Sequence, residues 1–223
     1  MTAKNIRALK VLVFLACLAP LGKLGLEIFG LAGLGLGANP IEELIHRLGK
    51  WGLNFLLITL AVTPLRKLTG LNWLIRFRRM LGLFTFFYIL MHFLTYAGLD
   101  QRFDIPVIVE DIVERPYITL GMSALLLLLP LALTSTNGMM RRLGRRWKKL
   151  HRLVYVIAGL GVWHFYWQVK EDILEPSIYI CILTVLLGYR ILARWRAKRA
   201  NSRGQRTISN LLTTKYKNTF TWK

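Results

Sequence analysis

The sequence predicts an all-α fold, a polytopic membrane helix bundle with six transmembrane helices. Three observations predict it. Hydrophobic residues make up 54% of the 223 residues, more than a soluble core of this size uses. They gather into six runs, each close to the ~20 residues that a helix needs to cross a bilayer. The charged residues fall between the runs and alternate in sign from one gap to the next.

The runs lie near residues 8–30, 45–65, 80–99, 117–135, 150–169 and 176–193. Ahead of the first, Lys4, Arg7 and Lys10 precede Val11–Pro20 in the manner of a signal peptide. The apolar character continues past Phe29 without a small-residue cleavage site, so this segment is expected to remain as the first span. Asn39-Pro40 followed by Glu42 reads as an N-cap, a proline in the first turn and a capping-box acid, opening the second span. Thr136–Lys149 reads as one basic helix lying against anionic headgroups. Residues 1–200 are expected to form the membrane domain, and residues 201–223 a loosely ordered polar cytoplasmic tail. No repeat is legible.

The gaps fix the orientation. Arg66, Lys67, Arg76, Arg78 and Arg79 separate spans two and three. Arg141, Arg142, Arg145, Arg146, Lys148, Lys149 and Arg152 separate spans four and five, and Arg190, Arg194, Arg196, Lys198, Arg199, Arg203 and Arg206 follow span six. The alternate gaps carry Glu42 and Glu43, then Asp100, Asp104, Glu110, Asp111 and Glu114, then Glu171, Asp172 and Glu175. Because positive charge is retained in the cytoplasm, both termini are expected inside. The net charge of +20 is thereby explained as topology. A nucleic-acid binder would need that charge on a folded polar surface, and membrane lipid is the expected environment instead.

Cys17 and Cys181 lie singly in apolar runs and make no CxxC, CxxCH or cluster-binding set. Four histidines remain: His46, His92, His151 and His164. An ionisable group inside a span is costly and marks function by default. His92 lies thirteen residues beyond Arg79, and His164 thirteen beyond His151, on two helices that run in the same direction. At 1.5 Å per residue both sit ~20 Å from the basic end. Two neutral imidazoles at one depth suit a single haem iron held from opposite sides, with the porphyrin slotted between helices. The bland alternative is a hydrogen bond from each histidine to a neighbouring helix. His151, at the basic end of span five, is a candidate for an inner redox group or an ordinary interfacial residue. His46, beside Arg47 and Lys50, is a candidate to ligate or to hydrogen-bond a haem propionate, and reads first as an interfacial residue. Lys23 and Glu27 read as an i, i+4 ion pair or as snorkelling side chains. Trp163, Phe165, Tyr166 and Trp167 fit an interfacial aromatic belt or packing against haem.

Several strings together carry a family resemblance over roughly residues 5–195. They are Gly37-Ala38-Asn39-Pro40, Ile75-Arg76-Phe77-Arg78-Arg79-Met80-Leu81-Gly82-Leu83, Leu90-Met91-His92-Phe93, Arg115-Pro116-Tyr117-Ile118-Thr119-Leu120-Gly121, Leu133-Thr134-Ser135-Thr136, and Leu143-Gly144-Arg145-Arg146-Trp147-Lys148-Lys149-Leu150-His151. With these the chain resembles the haem-binding membrane subunits of bacterial periplasmic methionine sulfoxide reductase systems, within the ferric-reductase-like transmembrane family. The resemblance implies residence in the bacterial inner membrane, heme b with His92, His164 and His151 at the haem-ligand positions, and an associated FMN. It also implies electron transfer from the quinone pool or a cytosolic flavin reductase to a periplasmic molybdopterin-containing methionine sulfoxide reductase subunit, with no catalytic residue in this chain.

The wider family sets two histidines on each of two helices. Here Arg78 or Arg79 stands at the inner position of span three, so an inner haem would hang on His151 alone or be absent. The nucleotide-binding and flavin domain of the larger family members has no counterpart in this sequence, so a redox partner is expected at each face. Two other readings compete: a generic quinol-oxidising cytochrome b anchor, and a small proton-coupled transporter. A transporter would show inverted repeats or broken spans, and neither is legible.

Overall fold

The computed structural model describes residues 2–31, 35–169 and 173–219. Helix dominates, and no strand occurs among the described residues. Glu171 and Asp172 of the third acidic gap lie outside them.

Helix α1 spans Ala3–Ile28, opened by the Thr2 hydroxyl, which accepts from the Asn5 N–H. Helix α2, Pro40–Thr69, begins at the expected proline, but the capping box does not form. The Asn39 side chain makes no backbone cap and instead donates to the Glu42 carboxylate at 2.8 Å, while Glu43 accepts from the Gly37 N–H at 2.6 Å. Helix α3, Arg78–Thr95, follows a 3₁₀ turn at Asn72–Arg76 and widens into a π turn at Tyr96–Asp100.

Next comes a helix within the acidic gap between the third and fourth spans. Helix α4, Ile105–Glu114, is capped by the Asp104 carboxylate, which accepts from the Val107 N–H. Helix α5 spans Pro116–Leu133. The single basic helix expected over Thr136–Lys149 is two short ones, α6 at Asn137–Leu143 and α7 at Arg145–Leu150. They break at Gly144, whose φ of 48° lies in the region a Cβ disfavours. A 3₁₀ turn at His151–Leu153 leads into α8, Val154–Gln168, and α9 runs over Leu174–Thr219. The backbone of α9 stays helical past residue 201, where a loose tail was expected. One compact unit ends at Leu183; a second begins at Thr184 with the rest of α9.

Among the described residues five helices are long and apolar enough to cross a membrane: Lys4–Ile28, Pro40–Thr69, Arg78–Asp100, Pro116–Leu133 and Leu174–Arg199. The fifth expected span, residues 150–169, corresponds to α8, which is not among these five. Its fifteen residues rise about 22 Å, and the 3₁₀ turn before it adds about 6 Å.

Two antiparallel helix pairs organise the site. In the first, α2 and α3 approach closely because Gly52 faces Ile89, whose side chain occupies the space of a Cβ. Small residues at such crossings let apolar helices pack where no hydrophobic drive separates protein from lipid. Cys17, Leu24, Leu48, Phe55, Phe84 and Tyr88 fill the core between α1, α2 and α3. The buried Tyr88 hydroxyl donates to the Cys17 carbonyl at 2.8 Å. The second pair is α5 and α8.

Antiparallel pairing sorts the ends of the bundle. At the basic end, Arg79 meets Asn137, and the Trp147 indole donates to the Thr134 carbonyl at 3.0 Å. At the acidic end, Glu27 and Glu43 flank Arg47, and Lys50 pairs with Glu175 at 2.6 Å. Glu27 is buried, and Arg47 is its near partner. Lys23, read as an i, i+4 ion pair with Glu27 or as a snorkelling side chain, is exposed and pairs with it at 3.8 Å.

Candidate functional site

His92 sits near the end of α3 because Arg79 and its basic neighbours hold the start of that helix at the basic end. His164 occupies the same level near the end of α8. The structure brings the two rings together: their centroids are 6.1 Å apart, with the ring planes at 77°.

Each imidazole is oriented by a backbone carbonyl on its paired helix. His92 Nδ1 bonds the Ile45 carbonyl of α2 at 2.8 Å, and His164 Nδ1 bonds the Tyr117 carbonyl of α5 at 2.6 Å. A carbonyl only accepts, so Nδ1 carries the proton on both rings. Nε2 then carries the free lone pair on each ring, and neither Nε2 has a hydrogen-bond partner among the described residues. This is the arrangement in which an outer partner fixes the tautomer of a metal-binding histidine.

A glycine lies one turn beyond each carbonyl. A Cβ on Gly49 would stand 3.0 Å from His92 Nδ1, and a Cβ on Gly121 would stand 3.0 Å from His164 Cε1 and Nδ1. The two half-sites are built alike. In both, the histidine follows its carbonyl by 47 residues, and the glycine lies four residues after that carbonyl. These four residues were not identified from the sequence, although the Ile45/Gly49/His92 spacing recurs in Tyr117/Gly121/His164.

The pair fits an axial role. Two imidazoles bound through nitrogen to one metal ion at about 2 Å each put their centroids about 6 Å apart, the separation observed here. Among the described residues no group of three or more His, Cys, Asp and Glu side chains could hold a metal ion. A haem iron needs only the two axial nitrogens.

His151 is elsewhere, at the basic end. Its ring stacks on Trp147 at 3.9 Å, its Nδ1 bonds the Trp147 carbonyl at 3.1 Å, and its Nε2 is 3.4 Å from the Ser135 hydroxyl. No second histidine accompanies it among the described residues; Arg78 is near enough to act on it electrostatically. His46 is a neighbour of the pair rather than a member. The Gln168 side-chain amide donates to its Nε2. It lines an open polar pocket of about 320 Å³ with Asn39, Glu42, Glu43, Arg47 and Lys50.

Around the pair, Phe165 is buried against Tyr179 at 5.3 Å, while Trp163, Tyr166 and Trp167 are exposed in the manner of a lipid-facing belt. At the acidic rim Asp111 of α4 is buried. It accepts from the Tyr96 hydroxyl at 2.7 Å and from Gln101 at 3.3 Å, and pairs with Arg115 at 3.1 Å. The Tyr117 ring lies 6.2 Å from that of His164. This rim therefore ties the end of α3 to the start of α5, the helix that orients His164.

Comparison with known proteins supplies the context. The profile of the family described as "Ferric reductase like transmembrane component" matches residues 48–162. The protein-methionine-sulfoxide reductase heme-binding subunit MsrQ of Xanthomonas euvesicatoria pv. vesicatoria is 52% identical over 205 residues, 91% of this chain and 94% of that protein. The subunit of the same name from Xanthomonas campestris pv. campestris is 52% identical over 202 residues, covering 89% and 93% of the two chains. That from Herminiimonas arsenicoxydans is 51% identical over 197 residues, covering 87% and 89%. No solved structure matches the chain significantly.

Proposed function

The chain belongs to the ferric reductase-like transmembrane family, among its methionine-sulfoxide-reductase heme-binding subunits, and from that premise we propose that it is a b-type haem electron-transfer subunit. It passes electrons from the quinone pool or a cytosolic flavin reductase to a periplasmic molybdopterin-containing methionine sulfoxide reductase, which repairs oxidised envelope proteins. The observation that carries this reading is the His92–His164 pair, with both Nδ1 atoms committed to carbonyls and both Nε2 atoms left for a metal.

Bound between these rings, haem supplies a one-electron redox centre. The chain's own residues do the rest. The Ile45 and Tyr117 carbonyls hold the imidazoles in one tautomer and raise their basicity as ligands. Gly49 and Gly121 give each ring room to lie close to its helix. The apolar cores of α2, α3, α5 and α8 keep water away from the pair.

The proposed direction of transfer, from the cytoplasmic basic end to the periplasmic acidic end, follows the charge sorting along the chain. His151 is proposed to serve the inner half of the path. The basic cluster from Arg141 to Arg152 offers an attractive surface for the phosphate of an FMN at that end. The molecule resides in the bacterial inner membrane on this reading, with both termini cytoplasmic.

The deciding experiment is a reduced-minus-oxidised spectrum of the purified chain and of its His92→Ala and His164→Ala variants. The unmodified chain should show a low-spin b-type haem, and each variant should lose most of it, because one missing axial nitrogen leaves a vacant coordination position. If both variants keep the original haem content and spectrum, the pairing is wrong.

A further inference from the structure

Helix α4 is short, yet its surface divides three ways. With about 100° between successive residues, Ile105, Val109 and Val113 form one stripe about 80° wide. They are 62%, 53% and 76% exposed. On one side of this stripe lies the face that packs on the bundle, with Ile108 at 7% and Asp111 at 6%. On the other side are Glu110 and Glu114, both exposed. Phe103 and Leu99, just ahead of the helix, extend the exposed apolar surface.

What covers the stripe is indicated by the chain itself. The turn that leads into α4 follows a membrane-crossing helix ending at Asp100, and one residue, Arg115, separates Glu114 from the next such helix at Pro116. Tethered this closely at both ends, α4 stays within a few residues of the apolar slab that surrounds α3 and α5. Its buried face is locked to the bundle through Asp111, which Tyr96 and Arg115 hold. The exposed apolar stripe therefore lies within a few residues of two spans, with the acidic edge on a different side of the helix. That three-way division of bundle, apolar medium and water is what an interfacial amphipathic helix requires.

We propose that α4 lies in the headgroup region of the leaflet at the acidic end of the bundle, with Ile105, Val109 and Val113 among the acyl chains and Glu110 and Glu114 in water. The helix carries no cation of its own, so it suits a neutral zwitterionic surface, unlike the arginine-rich segments at the opposite end. Anchored there, α4 sets the depth of the Tyr96–Asp111–Arg115 rim.

The test uses spin labels on the full chain in phosphatidylcholine vesicles. Cys17→Ala and Cys181→Ala give a cysteine-free background, which leaves the Tyr88 bond intact because its acceptor is the Cys17 backbone. Single cysteines then replace Val109, Val113, Glu110 and Glu114 in turn. The ratio of collision with molecular oxygen to collision with a water-soluble nickel chelate should be several-fold higher at 109 and 113 than at 110 and 114. Equal, water-like ratios at all four sites would overturn the proposal. So would protection of 109 and 113 from both reagents, which would mean that another protein or a second copy of the chain covers the stripe. None of these readings depends on haem, so failure here leaves the redox assignment untouched.

Discussion

Gly121 lies beneath the imidazole of His164, so close that a Cβ on it would stand 3.0 Å from two ring atoms. The ring cannot retreat freely, since its Nδ1 is held by the Tyr117 carbonyl one turn away. Gly121→Ala should therefore tilt His164 by a few tenths of an ångström and weaken haem binding. Overpacking of this kind costs about 1–3 kcal/mol, equivalent to a loss of affinity of roughly five- to more than a hundredfold. Haem retention during detergent titration and the low-spin electron paramagnetic resonance signal would both report it. An unchanged signal would show that the ring has more freedom than its carbonyl bond implies.

His151 answers a different question. Its substitution by alanine should leave the low-spin haem signal in place, because its ring lies at the other end of the bundle, stacked on Trp147. Reduction by a cytosolic flavin reductase should slow sharply in the same variant. Stopped-flow reduction followed at the Soret band separates the two effects. Unaltered reduction kinetics would make His151 a structural stacking partner only.

Glu27 is a buried carboxylate inside the first span, and Arg47 is the partner that neutralises it. Arg47→Ala leaves Glu27 with only the longer, solvent-exposed pairing to Lys23 at 3.8 Å. Stranding a charge in this way should cost on the order of 2–3 kcal/mol, read as a lower midpoint of thermal unfolding in detergent. The double variant Arg47→Ala with Glu27→Gln should recover much of that loss, since the stranded charge is gone.

The orientation has its own test. A reporter active only in the periplasm should be silent when fused after Lys223 and active when inserted near Asp104. The opposite pattern would exchange the donor and acceptor faces of the proposed path.

The depth of the histidine pair was legible in the sequence because charge fixes the helix ends. Arg79 and His151 mark where two spans leave the basic surface, and equal counts from there lead to His92 and His164. Their orientation was not legible. The partners at Ile45 and Tyr117 are backbone carbonyls, which every residue possesses, so no side-chain type announces them. Gly49 and Gly121 look like ordinary helix glycines until the facing ring is seen. The break at Gly144 was a single residue in a basic run whose composition suits a continuous helix. Helix α4 is hard to read in the sequence because ten residues cannot span a bilayer and its acids interrupt the stripe of Ile105, Val109 and Val113.

The bond from His92 to Ile45 is internal to one helix hairpin, and the bond from His164 to Tyr117 belongs to a different pair. During synthesis the first hairpin enters the membrane well before α8 exists. An imidazole delivered alone into hydrocarbon would be costly, but His92 arrives with its donor already satisfied by its own neighbour. Each imidazole thus travels with a chaperoning carbonyl, and the nascent chain can wait for its second half. If the two rings hold haem as proposed, its capture is a late event in biogenesis, set by the arrival of His164.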